Sequence, residues 1–245
     1  MFSCEQSHLF GGDFVKVAII GAMEEEVTIL RDQMENRQLT TIANCEFIEG
    51  TVNGTDVVLV RSGIGKVNAA MATSLLLEKF NPDYVLNTGS AGGFAADLEV
   101  GSVVISDEVV HHDVNVTAFG YKHGQVPQMP ATFMSNETLI RFAKEAVEEI
   151  GEHTYGTGLI ASSDTFMSDP EHVAEVRALF PEMIAAEMEA AAVAQVCYQF
   201  EKPFVVIRAL SDIAGKEAPM SFDEFLPIAA KHSSEIVLRV ISKLL

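Results

Sequence analysis

Cysteine is scarce in this chain. Cys4, Cys45 and Cys197 are odd in number and scattered, with no CxxC or metal-type spacing. That pattern excludes a disulfide framework and predicts free thiols in a reducing, cytoplasmic compartment. Basic charge is scarce too. The 16 Lys and Arg stand against 35 Asp and Glu, for a formal net charge of −19. Nucleic-acid binding needs a basic footprint, so it is disfavoured, as is an anionic membrane surface. No apolar run reaches the ~18 residues that a membrane helix requires. The first fourteen residues, MFSCEQSHLFGGDF, have neither the basic nor the apolar region of a signal peptide. Residues 1–14 read as a leader outside the fold, in which His8 carries no role, and 15–245 as one domain.

What is present is apolar material. Hydrophobic residues make up 48% of 245, enough for a large core with some left for a subunit interface. Strand and helix patterns alternate. Val15–Ile20 predicts a strand and Glu24–Asn36 a helix. Cys45–Gly50 and Asp56–Arg61 predict a hairpin around Asn53-Gly54. Lys66–Phe80 predicts a helix stopped by Asn81-Pro82, and Tyr84–Asn87 a buried strand ending in TGSAGG. Ser102–Val110 predicts a further strand. The stretch from His111 to Phe133 has no periodicity, which for that length marks function or an interface. Ser135–Ile150 predicts a helix capped by Ser135, and Thr157–Ser162 a strand. Pro170–Phe180 reads as a helix, Met183–Ala186 as a short strand and Glu187–Phe200 as an Ala-rich helix. A strand follows Pro203, and Phe222–Leu245 forms the last helix. The expected fold class is α/β: a three-layer αβα single domain with a central mixed, mostly parallel sheet.

Open sheets of this kind bind ligands at the carboxyl ends of their strands. The segment PFVVIRALSDIA, Pro203–Ala214, places Arg208, Ser211 and Asp212 where a buried apolar run ends. A helix cap at Ser211 or Asp212 with an Arg–Asp ion pair is the competing reading. GAMEEE, Gly21–Glu26, sets three carboxylates in a first helical turn, where they either complement the helix dipole or face a base or a neutral or cationic group. SGIGKVNAA, Ser62–Ala70, lacks the third glycine of a dinucleotide fingerprint, which excludes a Rossmann cofactor site. NTGSAGG, Asn87–Gly93, is either a tight turn or a place of close ligand approach, with a hydroxyl at Ser90. Glu187 and Glu189 are dipole complements, or Glu189 offers two oxygens to a ribose diol. His111-His112-Asp113 does not read as a metal site, because adjacent strand residues point to opposite faces. Ser162-Ser163-Asp164 lacks the glycines of a nucleophile elbow.

Taken together, GAMEEE, SGIGKVNAA, NTGSAGG, DVNVTAFGY, AAEMEAAAVAQVC, VVIRALSD and SFDEF resemble one family. It is the bacterial 5′-methylthioadenosine/S-adenosylhomocysteine nucleosidases, of the purine nucleoside phosphorylase fold. The resemblance runs from Val15 to the C-terminus. It implies that Asp212 is the general acid for adenine N7 and that Glu26 is the base that activates water. Ser90 and Arg208 would hold that water and the carboxylates around it. Glu189, beside the Met188 backbone, would grip the ribose hydroxyls. Phe166 would stack on the purine, the Met167 backbone would read its edge, and Gly92 would lie against it. Met23, Ile64 and Phe222 would line the ribose and alkylthio pocket. Val116, Phe119 and Pro127 would reach a neighbour's site, so the resemblance implies a homodimer. From the motif readings above, no cofactor and no metal are expected.

The chemistry suits the residues. An Asp must be desolvated, or crowded by Glu26 and Glu189, to keep a proton near neutral pH. Glu26 would repel a phosphate, which favours water as nucleophile and a nucleoside as substrate. The alternatives are an aminofutalosine nucleosidase, differing at the 5′ end of its pocket, or an inactive nucleoside-binding protein on the same fold.

Overall fold

The run Val17–Ile20 is buried on both faces, and it forms a strand at the centre of the sheet. The computed structural model describes residues 15–216 and 218–245, and the side chains of 218–221 lie outside the description. The leader expected over 1–14, with Cys4 and His8, is also outside the described residues. The strands are β1 (Lys16–Gly21), β2 (Glu35–Ile42), β3 (Cys45–Val52), β4 (Thr55–Arg61), β5 (Tyr84–Gly93), β6 (Val103–His111), β7 (Phe133–Met134), β8 (Tyr155–Ser162), β9 (Met183–Glu187) and β10 (Phe204–Ile213). The helices are α1 (Glu24–Asp32), α2 (Lys66–Phe80), α3 (Glu137–Ile150), α4 (Pro170–Leu179), α5 (Ala190–Gln199) and α6 (Ala218–Ser242).

The ten strands form one mixed sheet. Its middle is parallel: β1 lies between β4 and β5, and β10 runs beside β5. Antiparallel pairs flank this middle, including β2–β3 and β3–β4. Because β10 pairs with both β5 and β6, the strands β5, β9, β8, β6 and β10 close into a ring. Helices α2 and α5 cover one face, where the small side chains Ala190–Ala194 allow close packing. Helices α1, α3 and α6 cover the other. The three-layer mixed sheet expected from the sequence is the one found.

Several element limits differ from expectation, each for a local reason. Helix α1 stops at Asp32, and the chain turns into β2 with Asn36 at φ +54°. The sequence hides β2, since ENRQLTTI is a largely exposed edge strand without apolar alternation. The cap of α3 is Asn136, whose Oδ1 accepts the Leu139 N–H at 3.1 Å. Ser135 is instead buried, and its hydroxyl is hydrogen-bonded to that of Ser106 at 2.6 Å. Replacing Asn136 by Ala should therefore cost about 1 kcal/mol, read as a lower urea midpoint. An unchanged midpoint would contradict that cap. Helix α5 starts at Ala190 rather than Glu187, because Glu187 ends β9 and its Oε2 accepts the N–H groups of Glu189 and Ala190.

Candidate active site

Strands β5, β9 and β10 bring their carboxyl ends to the loop after β1, and a cavity of about 340 Å³ opens there. That volume lies in the range of small-molecule sites. The twelve residues that the resemblance assigns to this chain's own site all line it. They are Met23, Glu26, Ile64, Ser90, Gly92, Phe166, Met167, Met188, Glu189, Arg208, Asp212 and Phe222. Val116, Phe119 and Pro127 do not line it. Val116 and Phe119 belong to the short turn at Thr117–Phe119, where the Phe119 side chain is 82% exposed.

Only one carboxylate of GAMEEE faces the cavity. Glu24 turns away to Arg31 and Arg61 at 2.5 and 3.2 Å. Glu26 is 1% exposed. Its Oε2 accepts the N–H groups of Ala22 and Met23 at 2.8 and 3.2 Å. Its Oε1 accepts the N–H and hydroxyl of Ser90 at 3.0 and 3.2 Å. All four partners are donors, the set that an acceptor-only carboxylate takes. The dipole reading of this turn holds in part, since the bond to Met23 also caps α1.

Gly89 makes room for that carboxylate. It sits at φ +143°, and a Cβ there would lie 2.3 Å from Glu26 Oε1. Gly89→Ala should displace the carboxylate and lower kcat by about 10²-fold, as ångström-scale misplacement does. Steady-state rates with a soluble, folded variant check this, and near-normal turnover would contradict it.

Asp212 is placed by a bulge. The β10–β5 register shifts between Leu210 and Asp212, so Ser211 and Asp212 both face the cavity although neighbours on a regular strand diverge. The helix cap considered for these two residues is not formed, because β10 continues through them to Ile213. Asp212 is 2% exposed. Burial raises its carboxyl above the usual range, against a lowering by the Ser211 hydroxyl, which donates at 2.8 Å. Desolvation is the cause; the crowding by Glu26 and Glu189 expected from the sequence does not contribute. A Cβ on Gly92 would come within 3.0 Å of Asp212 Oδ2.

Arg208 does not pair with Asp212. Its guanidinium reaches Glu187 at 2.6 Å and Glu189 at 3.2 Å, and donates to Asn87 Oδ1 and the Ser90 carbonyl at 3.0 and 2.9 Å. Glu187 also accepts from the Ser162 hydroxyl. Glu189 takes the Gly65 N–H on Oε1 at 2.8 Å. Burial pushes its carboxyl up to about 7, with Arg208 opposing and Glu187 reinforcing. Phe166 and Phe222 meet edge to face, with ring centroids 5.7 Å apart. The Met167 carbonyl accepts the Gly215 N–H at 3.1 Å.

Sequence reasoning did not assign Glu187, Asn87 or Ser162 to the site. One carboxylate cannot accept all five N–H donors of a buried Arg, so Glu187, two residues from Glu189, was the available signal. His111 and Asp113 serve the scaffold: His111 Nε2 meets Gln195 at 2.9 Å, and Asp113 binds Lys66 at 2.6 Å. Among the described residues, no group of three or more His, Cys, Asp or Glu is placed to hold a metal ion.

A family profile described as Phosphorylase superfamily matches residues 16–242. A 5′-methylthioadenosine/S-adenosylhomocysteine nucleosidase of Geobacillus sp. (strain WCH70) is 64% identical over 94% of this chain and 99% of its own. The nucleosidase of Colwellia psychrerythraea 34H, solved with adenine, superposes at TM-score 0.93 with 52% identity, covering 95% of this chain and 96% of that one. That of Neisseria meningitidis, solved with methylthio-immucillin-A, superposes at 0.92 with 51% identity, covering 93% and 99%. A futalosine hydrolase of Helicobacter pylori superposes at 0.89 but is only 32% identical, covering 94% and 98%.

Proposed function

The chain belongs to the 5′-methylthioadenosine/S-adenosylhomocysteine nucleosidases of the phosphorylase superfamily, and from that premise we propose how its cavity works. The enzyme hydrolyses the N-glycosidic bond of methylthioadenosine and adenosylhomocysteine, releasing adenine and the 5-alkylthioribose. Asp212 carries the proton that adenine N7 takes as the bond breaks, and Glu26 takes a proton from the attacking water. One observation carries this division: an Asp whose carboxyl burial holds above the usual range and a Glu met only by hydrogen-bond donors line the same cavity. Paired carboxylates in unlike environments divide acid and base roles. Negative charge around the cavity also favours the cationic sugar of the transition state.

Glu189 accepts from the ribose hydroxyls and Arg208 holds Glu187 and Glu189 in place. Phe166 stacks on the purine, while the Met167 backbone and Gly92 meet its edge and face. Ser90 steadies Glu26, and Met23, Ile64, Met188 and Phe222 enclose the sugar and its thioether. The acidic wall at Glu26 disfavours phosphate. Adenine release from methylthioadenosine should therefore proceed at the same rate in phosphate-free and phosphate-containing buffer, followed by product chromatography. A strict phosphate requirement would overturn water as the nucleophile.

The exposed Phe119, with Val116 and Pro127, supports a homodimer in which this turn closes the neighbour's cavity. Sedimentation should find a dimer, and Phe119→Ala should raise KM. A fully active monomer would refute it. The unpaired, buried Cys45 and Cys197 support a reducing, cytoplasmic setting, and 15–245 acts as one domain. Among the described residues, no helix is long and apolar enough to cross a membrane.

A further inference from the structure

Helix α2 begins without a cap of its own. Gly65, at its N-cap, has no side chain, and the first turn holds no acidic residue. The free N–H groups of a helix start still need acceptors, and the helix dipole favours anions there. Two carboxylates from distant strand ends supply them. Glu189, beyond β9, takes the Gly65 N–H at 2.8 Å. Asp164, beyond β8, takes the next one, the Lys66 N–H, also at 2.8 Å.

The two acceptors stand differently toward the cavity. Glu189 lines it, whereas Lys66, Asp113 and Asp164 do not. Those three close a ring outside it. The Lys66 ammonium donates to both Asp113 oxygens at 2.6 and 2.7 Å, and Asp113 Oδ2 accepts the Asp164 N–H at 3.4 Å. The ring leaves Gly65 little slack. Gly65 sits at φ +95°, and a Cβ there would lie 3.1 Å from Asp164 Oδ1. Because Lys66 follows Gly65 directly, anchoring the Lys66 N–H also fixes where the Gly65 N–H points.

That direction matters to Glu189. Burial pushes its carboxyl up to about 7. Arg208 of β10 and the Gly65 N–H oppose this, while Glu187 of β9 and Glu26 of α1 reinforce it. The Gly65 bond therefore favours the anion, the form that can accept from two ribose hydroxyls.

We propose that Asp164 is a positioning residue for ribose binding: braced by Lys66 and Asp113, it aims the Gly65 N–H at Glu189 and so holds that carboxylate for the sugar. The assignment rests on the reading of Glu189 given above and extends it to a residue that touches no substrate.

The test compares kcat/KM for methylthioadenosine and for its 2′,3′-dideoxy counterpart, with the full chain and with Asp164→Ala, Asp164→Asn and Glu189→Ala. Asp164→Ala should lower the value for methylthioadenosine about 10-fold, the scale of a weakened hydrogen bond to a charged group. The dideoxy nucleoside has no hydroxyl to grip, so its value should change less than about twofold. Asp164→Asn keeps an acceptor oxygen and should show the same selectivity with a smaller loss. The pH profile gives a second readout. A weaker Gly65 bond raises the pKa of Glu189, so its anion is lost sooner as pH falls. The acidic limb for methylthioadenosine should move to higher pH in Asp164→Ala. Equal losses on both nucleosides, an unmoved limb, or unchanged turnover of methylthioadenosine in folded Asp164 variants would overturn the proposal and leave Asp164 as a helix cap alone. Glu189→Ala should lose the preference for the hydroxylated nucleoside. If it keeps that preference, the ribose reading itself falls and takes the proposal with it, a distinguishable result.

Discussion

Asp212→Asn should lower kcat by about 10²–10⁴-fold, the range that a single general acid contributes, while nucleoside binding stays within a few-fold. The asparagine amide keeps a hydrogen-bond donor for the purine but has no proton to give. Adenine must then depart as an anion, and the barrier rises. The pH profile gives the sign. The useful form of Asp212 is the protonated one, and burial raises its pKa. Raising the pH through that pKa empties the acid, so kcat should fall on the alkaline side. Asp212→Asn should lack this limb. A variant with full turnover, or one that keeps the limb, would remove Asp212 from the role.

Glu26→Gln should cost a similar factor in turnover, and stability as well. The four groups facing Glu26 are all donors. Whichever way a glutamine amide turns, its NH2 meets at least one backbone N–H, which cannot accept. A mismatched buried donor costs about 1–3 kcal/mol, so a lower thermal midpoint should accompany the lost rate. Asp212→Asn faces the Ser211 hydroxyl, which can rotate to accept, so its stability should change less. The contrast separates the pair: both variants lose turnover, and only Glu26→Gln loses much stability. A Glu26→Gln enzyme that is as stable and as active as the parent would refute the geometry.

Much of this site was legible because its parts are short and close to strand ends. The run Phe204–Ile207 marked a buried strand, and Arg208 and Asp212 follow within five residues. Asn53-Gly54 marked its hairpin, with both residues at positive φ. What stayed hidden depended on distant partners or on one-residue irregularities. The bulge at Ser211 turns Asp212 into the cavity, and no local signal announces it. Glu187 looked like the first residue of a helix. It ends β9 instead, and its carboxylate binds Arg208 of β10. Ser135 and Asn136 are both good caps in isolation, and the burial of Ser135 against Ser106 decided between them. The β2 edge escaped notice because it has no buried face to impose a period. The closed ring of strands is a tertiary fact with no sequence period of its own.

The division of labour between Asp212 and Glu26 is tested most directly by changing the leaving group. A 5-methylthioriboside whose leaving group departs as a stable anion, such as a nitrophenolate, needs no acid but still needs activated water. On that substrate Asp212→Asn should recover to within about 10-fold of the parent rate, since only the acid's contribution is bypassed, while Glu26→Gln should remain as impaired as it is with adenosine substrates. If Asp212→Asn stays fully impaired with the good leaving group, or Glu26→Gln is the variant that recovers, the assignment of acid and base is contradicted.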